Sequence, residues 1–319
     1  MAPSFDNISS VAVIGAGLMG HGLAQIFAAH GCRVRLQDVR QEALALARES
    51  IRANMSLMAQ GGLGRAEEIE PALAMIQTTT ELEEAADGAQ FVVEAVNENL
   101  ELKQMIFRRL DRICPAETIL ATNTSVISIS EVAEKARGRD RIVGTHFWNP
   151  PYLVPLVEVI RARDTSEQTM GITLAFLARV GKHPVRVEKD VPGFVGNRLQ
   201  HALWREAISI VEHGIAEPAV VDEVIKFGFG VRLPVLGPLE NADLAGLDLT
   251  LAIHDYILEH LDRSTEASSL LRRKVDHGEL GFKSGVGFQT WSPEAIAEVR
   301  RNLQEHLIRW NREQGASQR

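Results

Sequence analysis

At 319 residues the chain is long enough for one large or two ordinary domains with real cores. A formal net charge of −8 argues against nucleic acid or an anionic membrane surface as the main partner, though a local cluster of donors can still hold an anionic ligand. No apolar run approaches a membrane span, the first ten residues lack a signal-peptide core, and Cys32 and Cys114 have no metal or redox spacing. Together these predict a cytoplasmic protein with no metal site and no nucleic-acid or membrane partner.

The first element is the most informative. Val11-Ala12-Val13-Ile14 reads as a buried parallel strand, followed at once by Gly15-Ala16-Gly17-Leu18-Met19-Gly20. Gly15 permits a tight turn, Gly17 lets the backbone approach a pyrophosphate, and Gly20 lets the next helix pack on the strand. That helix, from Leu18 to about His30, turns its free N–H groups and positive dipole end toward the phosphates. A second strand, 33–38, ends in Asp38, whose carboxylate accepts from ribose hydroxyls and repels a 2′-phosphate. The predicted cofactor is therefore NAD rather than NADP, with Arg40 the one feature that would soften the preference.

Further strands are predicted at 91–94, 118–122 and 142–146, with later additions at 156–160 and 185–187. Helices are predicted over 41–60 and 100–113. Gln60-Gly61-Gly62-Leu63-Gly64 breaks the first of these helices and suggests a helical hairpin. This alternation is the pattern of an α/β, Rossmann-type, doubly wound parallel sheet. Beyond Asp190-Val191-Pro192-Gly193 the strands stop and helical periodicity takes over, in runs 194–212, 219–227 and 239–259. The expected organisation is a nucleotide domain over 1–188 and an all-α substrate and dimerisation domain over 189–319. Its apolar faces lead to the expectation of a homodimer.

Hydride transfer needs a group to take the hydroxyl proton, and histidine suits that task near neutral pH. His146 ends a predicted strand, at the edge where open α/β sheets place their sites. Glu158 follows in the apolar run Pro155-Leu156-Val157-Glu158-Val159, where a carboxylate is costly unless paired. His146 is the natural partner: Glu158 would fix its tautomer and balance the imidazolium. A satisfied core histidine is the bland alternative, and the buried glutamate weighs against it.

The chain resembles the L-3-hydroxyacyl-CoA dehydrogenase family from Val11 to about Phe288. The likeness is carried by the glycine loop, Thr122-Asn123-Thr124-Ser125, Gly144-Thr145-His146-Phe147-Trp148-Asn149-Pro150, Leu156-Val157-Glu158-Val159 and Pro192-Gly193-Phe194-Val195-Gly196-Asn197-Arg198. The resemblance implies NAD-dependent oxidation of a 3-hydroxyacyl-CoA, with His146 as base and Glu158 as its orienting partner. It also implies that Ser125 binds the substrate oxygen, with Asn197 reaching in from the second domain. Gly15, Gly17, Leu18, Met19, Gly20, Asp38 and Asn123 fall to the cofactor, with Glu98 and Lys103 on its nicotinamide side.

Two departures bear on the substrate. Family members that use coenzyme A carry lysines in the helical hairpin, where residues 55–70 here hold only Arg65 against Glu67, Glu68 and Glu70, with Arg48 and Arg52 upstream. The segment Asn149-Pro150-Pro151-Tyr152-Leu153-Val154-Pro155 is similar to relatives that act on free hydroxy acids or alcohols of gulonate, carnitine or pyridine-carboxylate type. Acyl-CoA and a free hydroxy acid therefore both stand as expected small-molecule substrates. A non-catalytic NAD-binding structural protein is the remaining alternative. It gives no reason to keep a carboxylate in an apolar strand.

Overall fold

In a computed structural model, which describes residues 8–317, eight strands form one sheet. In chain order they are β1 (Ser10–Ile14), β2 (Arg33–Gln37), β3 (Ile76–Thr79), β4 (Phe91–Glu94), β5 (Ile119–Thr122), β6 (Ile142–Phe147), β7 (Leu156–Ile160) and β8 (His183–Val187). Their spatial order is β3-β2-β1-β4-β5-β6-β7-β8, with β1 to β6 all parallel. The winding direction reverses between β1 and β4, and this opens a crevice at the carboxyl ends of the strands. Every residue of β4, β5 and β6 is buried, which explains their largely apolar character.

Two features depart from the expectation. β3 was not foreseen, because Ile76-Gln77-Thr78-Thr79 buries only its first residue and lacks an apolar run. β7 runs antiparallel to β6, not parallel. The link from Trp148 to Pro155 is too short for the crossover a parallel strand requires, so the chain must double back. β8 then pairs parallel with β7 after the helix Glu167–Arg179.

The helices Leu18–Ala29, Gln41–Gln60 and Leu100–Ile113 form where the periodicity placed them. Phe27, Phe91 and Phe176 interlock in the core on one face of the sheet, with ring centroids 5.4 Å apart for Phe27–Phe176 and 5.0 Å for Phe91–Phe176. The predicted run 239–259 is divided at Gly246, whose φ of +97° ends Pro238–Ala245 and starts Leu247–Ile257.

Two compact units make up the chain. One unit runs to Arg198 and also takes in the chain from Asn302 on; the other is Leu199–Arg301. Thus the helix Pro293–Ser317 ends in the first unit, where Ile308 is buried and Asn311 Nδ2 donates to Leu153 O at 2.7 Å. The same link between β6 and β7 is held by Lys182, whose ammonium donates to the carbonyls of Pro151 and Val154. Burial pulls the pKa of that ammonium down to about 8.

The three glycines of the first turn are required for different reasons. Gly15 has φ +98°, and a Cβ there would lie 2.7 Å from Ala95 O. A Cβ on Gly20 would lie 1.7 Å from Gly15 O, so the helix rests directly on the turn. At Gly17 a Cβ would meet nothing within 4 Å, so no protein atom demands glycine there. A bound phosphate would. Gly17→Val is therefore expected to leave stability within about 0.5 kcal/mol while weakening NAD at least about tenfold. Gly20→Ala is expected to lower the melting temperature outright. Thermal melts with NAD titration check both, and equal loss of stability in the two variants would contradict the distinction.

Candidate active site

The β6–β7 register sets His146 directly opposite Glu158. Cross-strand neighbours share a face of the sheet, so the two side chains meet. His146 Nδ1 lies 2.8 Å from Glu158 Oε2, with both residues buried, at 4% and 1% exposure. The other carboxylate oxygen, Oε1, accepts from the backbone N–H of Val195 at 2.9 Å and of Gly196 at 3.0 Å. Burial pushes the Glu158 carboxyl up, but the bond from His146 and these two N–H donors outweigh it and hold the pKa below the ordinary carboxylate range. An ionised carboxylate only accepts, so Nδ1 carries a proton, and in the neutral imidazole the lone pair is on Nε2. The imidazole ring has the rings of Trp148 and Phe194 as neighbours, both tilted, at centroid distances of 5.3 Å and 5.6 Å.

The chain reaches Glu158 by a tight turn. Gly193 and Phe194 take φ of +77° and +48° in succession, and Phe194 does so without being glycine. A left-handed phenylalanine costs on the order of 1–3 kcal/mol and persists only where its surroundings hold it. Here its ring is buried and the turn aims the next two N–H groups at Glu158. The same turn is tied back by Asp190, which accepts from Ser128 Oγ at 2.7 Å, Ser130 N at 2.8 Å and Ile129 N at 3.1 Å. Asn197 was expected to reach in from the second domain. Its Nδ2 donates to Ser125 O at 2.9 Å. Consecutive residues, Gly196 and Asn197, thus bind the two groups of the site. The Ser125 hydroxyl is exposed and has no hydrogen-bond partner among the described residues.

Glu98 organises the loop that carries Ser125. Its Oε1 accepts from Thr124 Oγ1 and from the N–H of Ser125 at 2.9 Å and Val126 at 3.2 Å. Burial pushes the Glu98 carboxyl up, while the Thr124 hydroxyl, the Lys103 charge and the two N–H groups bring its pKa below the ordinary value. Lys103 is only 1% exposed; its ammonium lies 2.7 Å from Glu94 Oε1 and 3.3 Å from Glu98 Oε2. Thr122 Oγ1 donates to the other oxygen of Glu94 at 2.7 Å. Asn123, buried at the end of β5, accepts from Phe147 N at 3.0 Å and so ties β5 to the strand that carries His146.

On the other side of the crevice, Asp38 Oδ2 accepts from Ala16 N at 2.9 Å and its Oδ1 from Arg40 N at 3.0 Å. The carboxylate therefore lies beside the glycine turn at the end of β2. Leu18 is 65% exposed, Met19 packs on the core, and no side chain caps the helix they begin. Its first N–H groups are free for an anion. The open space at Gly17, the uncapped helix and the placement of Asp38 fit a dinucleotide.

Glu94 was missed in the sequence, although the argument applied to Glu158 applies to it equally. Phe91-Val92-Val93-Glu94 is an apolar strand ending in a fully buried carboxylate, which called for a cation. Burial pushes the Cys114 thiol up to about 11 and raises that of Cys32, which makes both poor nucleophiles. The three arginines of the hairpin are already engaged. Arg48 donates to Ile76 O at 2.8 Å, Arg52 is bidentate to Glu70, and Arg65 pairs with Glu68 and Glu67. Among the described residues no group of His, Cys, Asp and Glu could hold a metal ion, and no helix is long and apolar enough to cross a membrane.

Two family models match the chain: the 3-hydroxyacyl-CoA dehydrogenase NAD binding domain over residues 10–191, and the C-terminal domain of the same family over residues 193–291. A probable 3-hydroxybutyryl-CoA dehydrogenase of Bacillus subtilis is 40% identical over 282 residues, covering 88% of this chain and 96% of that protein. The 5-formyl-3-hydroxy-2-methylpyridine 4-carboxylate 5-dehydrogenase of Mesorhizobium japonicum is 31% identical over 301 residues, covering 94% of this chain and 96% of that protein. A crystal structure of a dehydrogenase of that description, an NAD-dependent dismutase, matches with a TM-score of 0.89 at 31% identity, over 96% of this chain and 98% of the other. The chain belongs to the 3-hydroxyacyl-CoA dehydrogenase family and is an NAD-dependent oxidoreductase acting on a CH–OH group.

Proposed function

We propose that His146 is the general base that takes the hydroxyl proton of the substrate, with Glu158 as its orienting partner. The observation that carries this reading is the 2.8 Å bond between two buried side chains, which ties Nδ1 to the carboxylate and so assigns the lone pair of the neutral ring to Nε2. Bound NAD supplies the hydride acceptor. His146 Nε2 takes the proton in oxidation and returns it in reduction, and Glu158 remains ionised to balance the imidazolium. The Ser125 hydroxyl and the Asn197 amide donate to the substrate oxygen, where charge builds in the reduction direction. Gly15, Gly17 and Gly20, with the N–H groups of Leu18 and Met19, receive the pyrophosphate, and Asp38 receives the adenosine ribose. Glu98 and Asn123 serve the nicotinamide side, and the enclosed Lys103 acts there through Glu98.

The substrate in this reading is a compact hydroxy acid without a coenzyme A carrier. Coenzyme A is a polyanion, and the hairpin arginines that would meet it already have carbonyl or carboxylate partners. Likeness to the Mesorhizobium enzyme over nearly the whole of both chains supports a carboxylate of pyridine-carboxylate type, whose formyl group, hydrated by one water, would present the CH–OH that gives up its proton and hydride. An acyl-CoA substrate is the second reading, favoured by the 40% identity to the Bacillus protein.

A second copy of the chain completes the helical unit. Within Leu199–Arg301 only Ser209 is buried, and Phe227, Val235 and Leu239 are each at least 80% exposed. A unit of that length with no core of its own needs an apolar partner. Because the apolar side chains recur along its helices, that partner is the same surface on another copy.

NADH formation should be followed with L-3-hydroxybutyryl-CoA beside 3-hydroxybutyrate, L-gulonate, L-carnitine and 5-formyl-3-hydroxy-2-methylpyridine 4-carboxylate. Turnover of a free acid is expected, with His146→Gln slower by about 10²–10⁴-fold and NAD binding retained. Turnover of the thioester alone would overturn the carrier-free reading, and an unaffected His146→Gln would overturn the base. Sedimentation equilibrium at micromolar concentration is expected to give twice the chain mass of 35.1 kDa. A monodisperse monomer would remove the dimer.

A further inference from the structure

The carbonyl of Gly17 accepts twice from His21, from the backbone N–H at 3.1 Å and from the ring Nδ1 at 2.9 Å. A carbonyl cannot donate, so Nδ1 carries a proton, and in the neutral ring the lone pair is on Nε2. The half-buried imidazole is thereby held against the glycine turn, at the N-terminal end of the helix Leu18–Ala29. An imidazolium is disfavoured there, because the helix dipole presents its positive end. Burial lowers the pKa of the ring, with the Gly17 bond working against it, so the free protein holds His21 mostly neutral at neutral pH.

No neighbouring side chain supplies a counter-charge. β2 and the helices Gln41–Gln60 and Ile69–Ala74 pack on this helix, and Arg35, Arg48 and Arg52 on them are engaged by Asp87, Ile76 O and Glu70. Asp38 and Arg40, just after β2, lie 3.9 Å from each other, while Arg33, Glu42 and Glu49 are exposed. Tyr152, which meets the helix at Gly22, is hydrogen-bonded to Gln304. None of these groups bears on the titration of His21. An anion at the turn would reverse the field that the ring experiences.

We propose that His21 is a cofactor residue whose ring takes up a proton at Nε2 when the dinucleotide pyrophosphate binds, so that NAD association consumes a proton from solvent. Binding then makes the ring the stronger base. The gain is complete below the pKa of the free ring and is lost as pH rises through that of the bound form. The coupling depends on the reading that gives the pyrophosphate to the Gly17 turn.

Calorimetric titration of the intact protein with NAD at about pH 6.5, near the ordinary histidine pKa, in Pipes and in Bis-Tris, reads the protons exchanged. Net uptake is expected in the parent and none in His21→Asn, whose amide still donates to Gly17 O but does not titrate. NAD is expected to bind the parent about fivefold more tightly at about pH 5.5 than at about pH 8, with His21→Asn level within about twofold. The ring signals of the ten histidines give a second reading, with His21→Asn naming the one concerned. Its titration midpoint is expected to move to higher pH on adding NAD. No uptake by the parent, an uptake that His21→Asn retains, or an unmoved midpoint overturns the proposal while the turn remains the phosphate site. NAD affinity undiminished in Gly17→Val overturns the placement of the phosphates, and the coupling with it.

Discussion

The site depends on one cross-strand contact, the carboxylate of Glu158 held against His146. A charge at 1% exposure is stable only if its partners are complete, and losing one partner of a buried pair costs about 3–5 kcal/mol. Its oxygens receive an imidazole N–H and two backbone N–H groups. Those donors come from β6 and from the turn that opens the helix Gly196–Glu212, so strand pairing and helix entry must both be correct before the histidine has a fixed tautomer. The antiparallel turn-back of β7, forced by a short link, is what puts the carboxylate opposite the imidazole at the ligand-binding edge.

The same economy recurs across the crevice. Glu94 and Glu98 share the enclosed Lys103, and Glu98 in turn holds the backbone of Ser125 and Val126. Asn197 fastens Ser125 from the other side. Ser125 is thus fixed through its main chain and Asn197 through one N–H of its amide, which leaves the Ser125 hydroxyl and the second N–H of Asn197 free for the roles proposed for them. Such preorganisation is how dipoles stabilise developing charge without reorganising during the reaction.

Much of this was legible in the residues. The glycine turn with Asp38 announced the first strand–helix–strand unit, because Gly15 and Gly20 each answer a separate steric demand of the chain. The pairing of His146 with Glu158 followed from the cost of a charge in an apolar strand. What was not legible was direction and partnership at longer range. Nothing in Leu156–Ile160 distinguishes a parallel strand from an antiparallel one, and β3 is a polar edge strand without a buried run. The return of the chain from Asn302 to the first unit rests on packing by Ile308 and Asn311 that no local pattern announces. Gly193 and Phe194 looked like a helix start; their left-handed conformations, which deliver two N–H groups to Glu158, are visible only in three dimensions.

The central claim is that His146 and Glu158 work as one unit, and a double-mutant cycle on kcat tests it most directly. Two residues that act only through each other lose their effect together, so His146→Gln and Glu158→Gln combined should be no slower than His146→Gln alone, within about threefold. Losses that multiply would show that Glu158 serves the protein by some route other than the histidine, and would contradict the account.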